Sequence, residues 1–272
     1  MLTPRASLLA TLAAFSANGA YADLSSTPVP LLKMVATKSD IAAFDKVVQC
    51  TLKHPRAIYA EWGCGGSTTR VLASTRADVY SLDSSADWLR NVDMAVSSAY
   101  PGRFHPRHVD LGPLGAWGWP NGTLTRKDGA RYFTGLDAQI PNADLILIDG
   151  RWRTACAIRA ALLARPGTII IIHDFWNRVK TAYANVLNTG VLRVVDTNEL
   201  RSAKWQCGDL VPSNNPAIAE LMAFTRSKRP VGEEMSKPAS ARTVLGIFVV
   251  GSNRNVTHLD LLARSEAMRP KR

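Results

Sequence analysis

The chain has few cysteines, and their spacing excludes two classes of protein. Four cysteines occur among 272 residues, which is far too few for a small domain built on a disulfide framework. None of them forms a CxxC or Cys/His pattern that would hold zinc. One of them, Cys64, lies in a glycine-rich turn where its small size is a sufficient reason for its presence. The sequence is compatible with a single disulfide between two of these cysteines.

Long apolar runs are missing after the first residues, so no later segment is predicted to cross a membrane. Residues 1–22 resemble a secretory signal, because Arg5 precedes a short apolar stretch and Ala20-Tyr21-Ala22 matches a small-residue cleavage site. An organelle transit peptide or a mis-assigned start codon would explain the same residues. The predicted location is therefore secreted, periplasmic or in the secretory pathway if 1–22 is a signal, and cytoplasmic otherwise.

The chain carries a net charge of +11 (33 basic minus 22 acidic residues). Such a charge is typical of proteins with an anionic partner, for example an acidic glycan, a nucleic acid or a membrane surface. The basic residues are scattered, however, which favours the alternative of solvated faces. The sequence argues against nucleic acid, since it has no base-flipping motif of the Asn-Pro-Pro-Tyr type and no basic stripe with interleaved aromatics. Nothing in it bears on the oligomeric state.

Stretches typical of strands and helices alternate along the chain. Strands are predicted at 57–61, 78–82, 103–109, 144–148, 168–172, 191–196 and 243–250. The runs at 145–148 and 168–172 are continuously apolar, as in central strands covered on both faces, and a helix is predicted between them at 154–163. The alternation predicts an α/β fold with a doubly wound, mostly parallel, seven-stranded Rossmann-like sheet and helices on both faces.

The organisation predicted around this sheet has four parts. Residues 1–22 are the signal or transit segment, 23–53 a lead-in with a helix that has Ser39 as its predicted N-cap, 54–252 the α/β domain, and 253–272 a basic tail. Two regions interrupt the domain. Residues 111–142 form a long loop, which in a compact domain is usually functional. Residues 197–242 form an insertion with a helix at 216–225 and a flexible stretch at 228–240.

A glycine turn after the first strand is the most informative motif. The strand ends at Glu61, glycines follow at 63, 65 and 66, and Ser67 opens a predicted helix. A strand, glycine turn and helix in this order bring the backbone close to a bound nucleotide. A second acid, Asp83, ends the next strand 22 residues later (83 − 61). An acid at that place can accept both hydroxyls of a ribose.

These residues resemble the class I S-adenosylmethionine-dependent methyltransferases. Glu61-x-Gly63-x-Gly65-Gly66 looks like the first motif of that family, whereas a dehydrogenase would need a further glycine at Thr68. The resemblance extends over residues 57–183 and implies S-adenosylmethionine as cofactor, with Glu61 binding its methionine amino group directly or through water. The implied cofactor-binding residues are Glu61, Gly63, Gly65, Gly66, Ser67, Asp83 and Asp110. Residues 109–113, 148–153 and 172–175 are similar to segments of an uncharacterised bacterial-type subgroup. This similarity does not indicate a substrate.

Methyl transfer requires the acceptor atom to lie in line with the sulfonium methyl group, and a hydroxyl acceptor benefits from a general base. His173 and Asp149 follow the fifth and fourth predicted strands, at the edge where open α/β sheets bind ligands. We predict both as catalytic residues, with the neutral imidazole of His173 as the base. The structural alternative is that His173 caps its strand or binds a neighbouring loop.

Two carboxylates at adjacent strand ends predict a metal site. Asp149 and Asp174 are 25 residues apart (174 − 149) and could hold Mg²⁺ through oxygen ligands, together with Asn177. This resembles the metal-dependent O-methyltransferases, in which the ion acidifies a hydroxyl. The sequence departs from them because Phe175-Trp176 separates an acid and an amide that are usually adjacent. The alternative is that both acids cap helices.

The remaining predictions concern the acceptor. Arg151 and Arg153 could bind a carboxylate or phosphate on it, or pair with Asp149 and Asp174. Trp117, in the long loop, could stack on a ligand ring or pack at the domain edge. The predicted function is methylation of an oxygen on a small or sugar-like, anionic acceptor. A non-catalytic binding module on the same fold is the alternative, and nucleic-acid modification rests on charge alone.

Overall fold

The computed structural model describes residues 31–179, 183–195, 200, 205–210, 245–252 and 255–267. The signal-like segment 1–22 therefore lies outside the described residues. So do the helix and the flexible stretch predicted within the insertion. Among the residues that are described, no helix is long and apolar enough to cross a membrane.

A seven-stranded sheet forms the centre of the molecule. Its strands are β1 (Ile58–Trp62), β2 (Asp78–Asp83), β3 (Phe104–His108), β4 (Leu145–Ile148), β5 (Ile169–Ile172), β6 (Leu192–Val194) and β7 (Gly246–Val250). They are ordered β3-β2-β1-β4-β5-β7-β6. Strand β7 is antiparallel to both of its neighbours, β5 and β6, whereas the other neighbouring pairs are parallel. All seven strands lie where the sequence predicts them, which confirms the mostly parallel, doubly wound sheet.

Helices cover both faces of the sheet, as predicted. They are α1 (Lys38–Thr51), α2 (Gly66–Ser74), α3 (Ala86–Val96), α4 (Arg126–Phe133), α5 (Arg153–Leu163), α6 (Phe175–Arg178), α7 (Ala184–Leu187) and α8 (Val256–Ala267). Helices α1, α2 and α3 pack on one face, and α4 to α8 on the other. Alternate residues of β4 point to opposite cores: Leu145 and Leu147 to the first, Ile146 and Ile148 to the second. Both cores are needed because the central strands β4 and β5 are apolar on both sides.

Three predicted boundaries differ from the structure. Helix α1 is capped by Thr37 rather than Ser39, because Thr37 and Asp40 exchange hydrogen bonds in a capping box. The predicted long loop contains α4, which begins with a second capping box at Thr125 and Asp128. Most of the predicted basic tail that is described forms α8, which packs against α5.

A disulfide links α1 to the start of the predicted insertion. Cys50, near the end of α1, is bonded to Cys207, with Cα atoms 5.2 Å apart and a sequence separation of 157. Lys46, one turn earlier on α1, donates a hydrogen bond to the carbonyl of Leu200 and lies 5.7 Å from the ring centroid of Trp205. The start of the insertion is therefore held on α1 by a covalent bond and by polar contacts.

Candidate functional site

The carboxyl ends of the four central parallel strands meet at one edge of the sheet, where open α/β sheets bind ligands. This edge collects most of the predicted site residues. The glycine turn follows β1, Asp83 ends β2, Asp149 follows β4, and His173 and Asp174 follow β5. Asp110 lies further out, beyond β3.

The glycine turn is tightly packed, which explains its composition. Gly63 has φ +91°, and a Cβ atom there would lie 2.8 Å from the nitrogen of Gly150, so only glycine allows the loops after β1 and β4 to touch. A Cβ on Gly66 would collide with the backbone of Met34. The lead-in also donates from the nitrogen of Leu32 to Oγ1 of Thr69, at 3.2 Å. The lead-in thus crosses the first turn of α2.

Glu61 lies beneath this turn and is completely buried. Its carboxylate accepts hydrogen bonds from four hydroxyls: Tyr59 at 2.8 Å, Ser67 at 2.7 Å, Ser81 at 2.6 Å, and Thr68. Burial raises the pKa of Glu61, and the four hydroxyls oppose that rise. Glu61 therefore anchors the start of α2 from below. Its direct contact with a cofactor stays a prediction.

Asp83 connects the turns after β1 and β2. One carboxylate oxygen accepts from the nitrogen of Cys64 at 3.2 Å, and the other from the nitrogen of Ser85 at 2.9 Å. Burial raises the pKa of Asp83, and the backbone donors oppose the rise. The side chain is only partly buried, so it faces the edge where ligands bind.

Trp88 is a site residue that sequence reasoning missed. Its indole Nε1 donates to the carbonyl of Cys64 at 2.7 Å, and its ring lies against Gly65, which has φ +151°. The side chain is 40% exposed. The only sequence signal was its position in the first turn of α3, where a helix start can face the neighbouring loop. Asp110, by contrast, is exposed and accepts from the nitrogen of Gly112 at 2.8 Å.

Residues 113–121, named the strap from here on, fold back on themselves. The nitrogen of Gly115 donates to the carbonyl of Trp119 at 2.7 Å, and the nitrogen of Asn121 to that of Pro113 at 2.8 Å. These bonds make the strap a closed unit with Trp117 at its tip. Trp117 is 75% exposed and has φ +58°, a conformation that is uncommon for a bulky residue.

Arg151 holds the strap across the sheet edge. Its Nη2 donates to the carbonyl of Trp117 at 2.7 Å, and its guanidinium lies 4.5 Å from the ring centroid of Trp119. Gly118, which lies between Trp117 and Trp119, is next to Ser84. A Cβ atom built on Gly118 would lie 4.0 Å from the Oγ of Ser84. The strap therefore starts after β3, passes the end of β2 and is fixed after β4. Strand β1 lies between β2 and β4, so the strap bridges the region above the glycine turn.

His173 and Asp149 form a hydrogen-bonded pair, with 2.9 Å between Nδ1 and a carboxylate oxygen. The other ring nitrogen, Nε2, is 4.0 Å from a carboxylate oxygen of Asp174. Burial lowers the pKa of His173, but the hydrogen bond to Asp149 and the charges of Asp149 and Asp174 together raise it, so the net shift is upward. Burial likewise raises the pKa of Asp149, while His173 and Arg153 lower it to a net downward shift. The neutral imidazole that a base requires therefore forms at higher pH than in a free histidine.

Arg153 uses all five of its N–H groups within this cluster. Nε donates to the carbonyl of Gly150 at 3.2 Å. Nη1 donates to the carbonyl of His173 at 2.9 Å and to the carboxylate of Asp174 at 3.4 Å. Nη2 lies 2.8 Å from the carbonyl oxygen and 2.7 Å from a carboxylate oxygen of Asp149. The structure thus shows the ion-pair alternative for Arg153 and leaves none of its donors for an acceptor molecule.

The Mg²⁺ predicted between Asp149 and Asp174 does not fit this arrangement. The guanidinium of Arg153 lies between the two acids, and Asp174 also pairs with Arg178 at 2.9 Å. In the described part of the chain, no group of three or more His, Cys, Asp or Glu residues is placed to hold a metal ion. The sequence indicated the two carboxylates correctly, but it could not show which cation stands between them.

Comparison with solved structures identifies the fold. The chain is similar to a methyltransferase-like protein from Silicibacter pomeroyi, with a TM-score of 0.54 and 16% identity over 87% of this chain and 97% of that one. It has a weaker similarity to an O-methyltransferase from Bacillus cereus in complex with SAH, with a TM-score of 0.40 and 16% identity over 82% and 84% of the two chains. No family model and no curated protein matches the sequence. At such identities the first similarity shows the fold alone.

Proposed function

We propose that this chain, which has the class I S-adenosylmethionine-dependent methyltransferase fold, transfers a methyl group to an oxygen of a small or sugar-like acceptor. The observation that carries the proposal is the His173–Asp149 pair. It lies at the same sheet edge as the glycine turn and Asp83. A base and a cofactor site on one edge allow the acceptor oxygen and the methyl group to meet in line.

The residues around the glycine turn fit the cofactor. A carboxylate has about four lone-pair positions. Each carboxylate oxygen of Asp83 accepts one hydrogen bond from a backbone nitrogen, and the side chain is partly exposed. Lone pairs are left for the hydroxyls of a ribose. The exposed ring of Trp88 beside Gly65 offers an apolar wall to the same ligand. When bound, S-adenosylmethionine supplies the electrophilic methyl group.

The acid–base chemistry is assigned to His173. The lowered pKa of Asp149 keeps its carboxylate ionised, so Nδ1 of the imidazole donates to it and Nε2 carries the free lone pair. Nε2 is the atom that takes the acceptor's proton as the oxygen attacks. Asp149 holds the ring in this orientation and stabilises the imidazolium that forms. Trp117, exposed at the tip of the strap, is the residue assigned to stack on the acceptor, and Arg151 donates a hydrogen bond to its carbonyl.

The test of the cofactor site is binding of S-adenosylhomocysteine, read as thermal stabilisation of the full chain. At a ligand concentration of about 100 Kd the expected gain is about 2.7 kcal/mol. The variant Asp83→Ala should lose most of the shift. Asp87→Ala is the matched control, since Asp87 lies on the adjacent helix and pairs only at the surface, with Arg90. Equal thermal stabilisation of wild type and Asp83→Ala would contradict the assignment of Asp83 to the ribose.

The alternative, a binding module without methyl transfer, is favoured by two observations. The disulfide between Cys50 and Cys207 is of a kind that persists mainly in oxidising compartments, and the first 22 residues resemble a secretory signal. Such a compartment has no evident supply of the methyl donor. Mass spectrometry of the mature N-terminus distinguishes the two proposals. A chain that is cleaved after Ala22 and whose melting temperature does not change with S-adenosylhomocysteine would support the binding-module alternative.

A further inference from the structure

The guanidinium of Arg153 is surrounded by oxygen. Three backbone carbonyls and two carboxylate oxygens lie within 3.4 Å of its nitrogens, and the side chain is only 13% exposed. The carbonyls belong to Asp149, Gly150 and His173, and the carboxylates to Asp149 and Asp174. The hydroxyl of Tyr183 is a further hydrogen-bonding neighbour. This is a dense set of hard donor atoms around one positive charge.

The two carboxylates are close because their strands are neighbours. Ile148 and Ile172 are paired across β4 and β5, and the acids follow these residues by one and two positions. Like charges at such a place repel each other unless a cation stands between them. Carboxylate and carbonyl oxygens are the ligands that a divalent cation takes in proteins. In this chain the cation is covalently part of α5.

We propose that Arg153 is a built-in cation that replaces a divalent metal ion at this site and positions the His173–Asp149 pair. It contacts the carboxylate oxygen of Asp149 that also accepts from His173, and it binds the carbonyl of His173 itself. One planar group therefore fixes both members of the pair. The positioning role rests on the proposed methyl transfer, whereas the replacement of a metal does not.

The first experiment measures Mn²⁺ binding to the full chain by electron paramagnetic resonance, together with the melting temperature with and without Mn²⁺. Wild type should bind no Mn²⁺ and show no shift. Arg153→Ala removes the cation that stands between the two carboxylates, and the melting temperature should fall by about 10 °C. Mn²⁺, or guanidinium at millimolar concentration, should recover part of that loss. Arg153→Met fills the space without charge and should recover with neither.

The second experiment separates positioning from stability. Arg153→Lys keeps the charge but not the planar fork, so kcat should fall about tenfold or more while KM for the methyl donor stays unchanged. Arg159→Ala is the control, because Arg159 also lies on α5 and bridges two acids, Asp137 and Asp260, outside the site. It should lower the melting temperature and leave kcat unchanged.

Three results would overturn parts of the proposal. Mn²⁺ bound to wild type, or the same Mn²⁺ response in wild type and Arg153→Ala, would show that Arg153 does not replace a metal. An unchanged kcat in Arg153→Lys would show that it does not position the pair. If Arg153→Ala does not fold, the wild-type metal measurement and Arg153→Lys still decide both points. The metal measurements do not require methyl transfer. The proposed function is tested separately, by thermal stabilisation with S-adenosylhomocysteine.

Discussion

At the scale of single residues, His173 and Asp149 stabilise each other over a defined range of pH. The pKa of His173 is raised from 6.5, so its contribution to stability is complete below that value and is lost as pH rises through the raised pKa. The pKa of Asp149 is lowered from 3.8, so its contribution is present above that value and is lost as pH falls through the lowered pKa. The charged pair is thus present between the lowered pKa of Asp149 and the raised pKa of His173.

This pair predicts the pH dependence of methyl transfer. Because the base must be neutral, kcat should rise with pH along a limb whose midpoint lies above 6.5, the unperturbed pKa of histidine. Asp149→Asn removes the charge that raises the pKa of His173 and should move the limb to lower pH. The measurement is kcat against pH, with a proton NMR titration of the His173 ring. A limb that stays in place in Asp149→Asn would contradict the assignment.

Glu61 allows a prediction on stability. In Glu61→Ala, the buried hydroxyls that now donate to the carboxylate lose their shared partner, which costs about 3 kcal/mol or more. Glu61→Gln keeps an acceptor oxygen of similar shape, and its loss should be less than half as large. Urea unfolding of the two variants measures both values. Similar losses would mean that the charge of Glu61, rather than the hydrogen bonds, stabilises the turn.

At the scale of elements, the contacts between Arg151 and the strap allow a prediction on local opening. Arg151→Ala removes the bond to the carbonyl of Trp117 and the contact with the ring of Trp119. We expect the amides of residues 115–119 to exchange hydrogen about tenfold faster, which corresponds to about 1.4 kcal/mol of lost protection. Hydrogen exchange with mass spectrometry measures this, and Arg90→Ala on the exposed face of α3 is the control. Unchanged exchange would show that the strap is held by its own internal bonds.

The elements that sequence alone predicts are those with a strong apolar pattern. Strands β4 and β5 are uninterrupted apolar runs, and α5 is rich in alanine and leucine. Helix α4 was missed because its residues, RKDGARYF, are mostly polar and include a glycine. Its start signal, Thr125 with Asp128, is a local capping box that carries little weight without an apolar stripe after it. The orientation of Arg153 could not be predicted, since it depends on how two loops meet in space.

At the scale of the whole molecule, the disulfide contributes to stability from outside the candidate site. Cys50→Ser or Cys207→Ser should each lower the free energy of unfolding by about 2–5 kcal/mol, and the double variant should lose no more than one single variant. A reducing agent should lower the melting temperature of wild type to the same value. Cys156→Ala, at a free buried cysteine, is the control and should keep its response to the reducing agent. An unchanged melting temperature after reduction would contradict the prediction.

The Cys50–Cys207 bond also closes a covalent ring. Strands β1 to β6 lie inside the ring, whereas β7 and α8 lie outside it. When an unfoldase pulls on either end of the chain, the force therefore passes through the disulfide from Cys50 to Cys207. The residues between the two cysteines are not extended. While the bond is intact, the polypeptide cannot pass as a single strand through a narrow pore. Any passage of this chain through a translocation channel must precede the oxidation of its two cysteines, and its threading by an unfoldase requires their prior reduction.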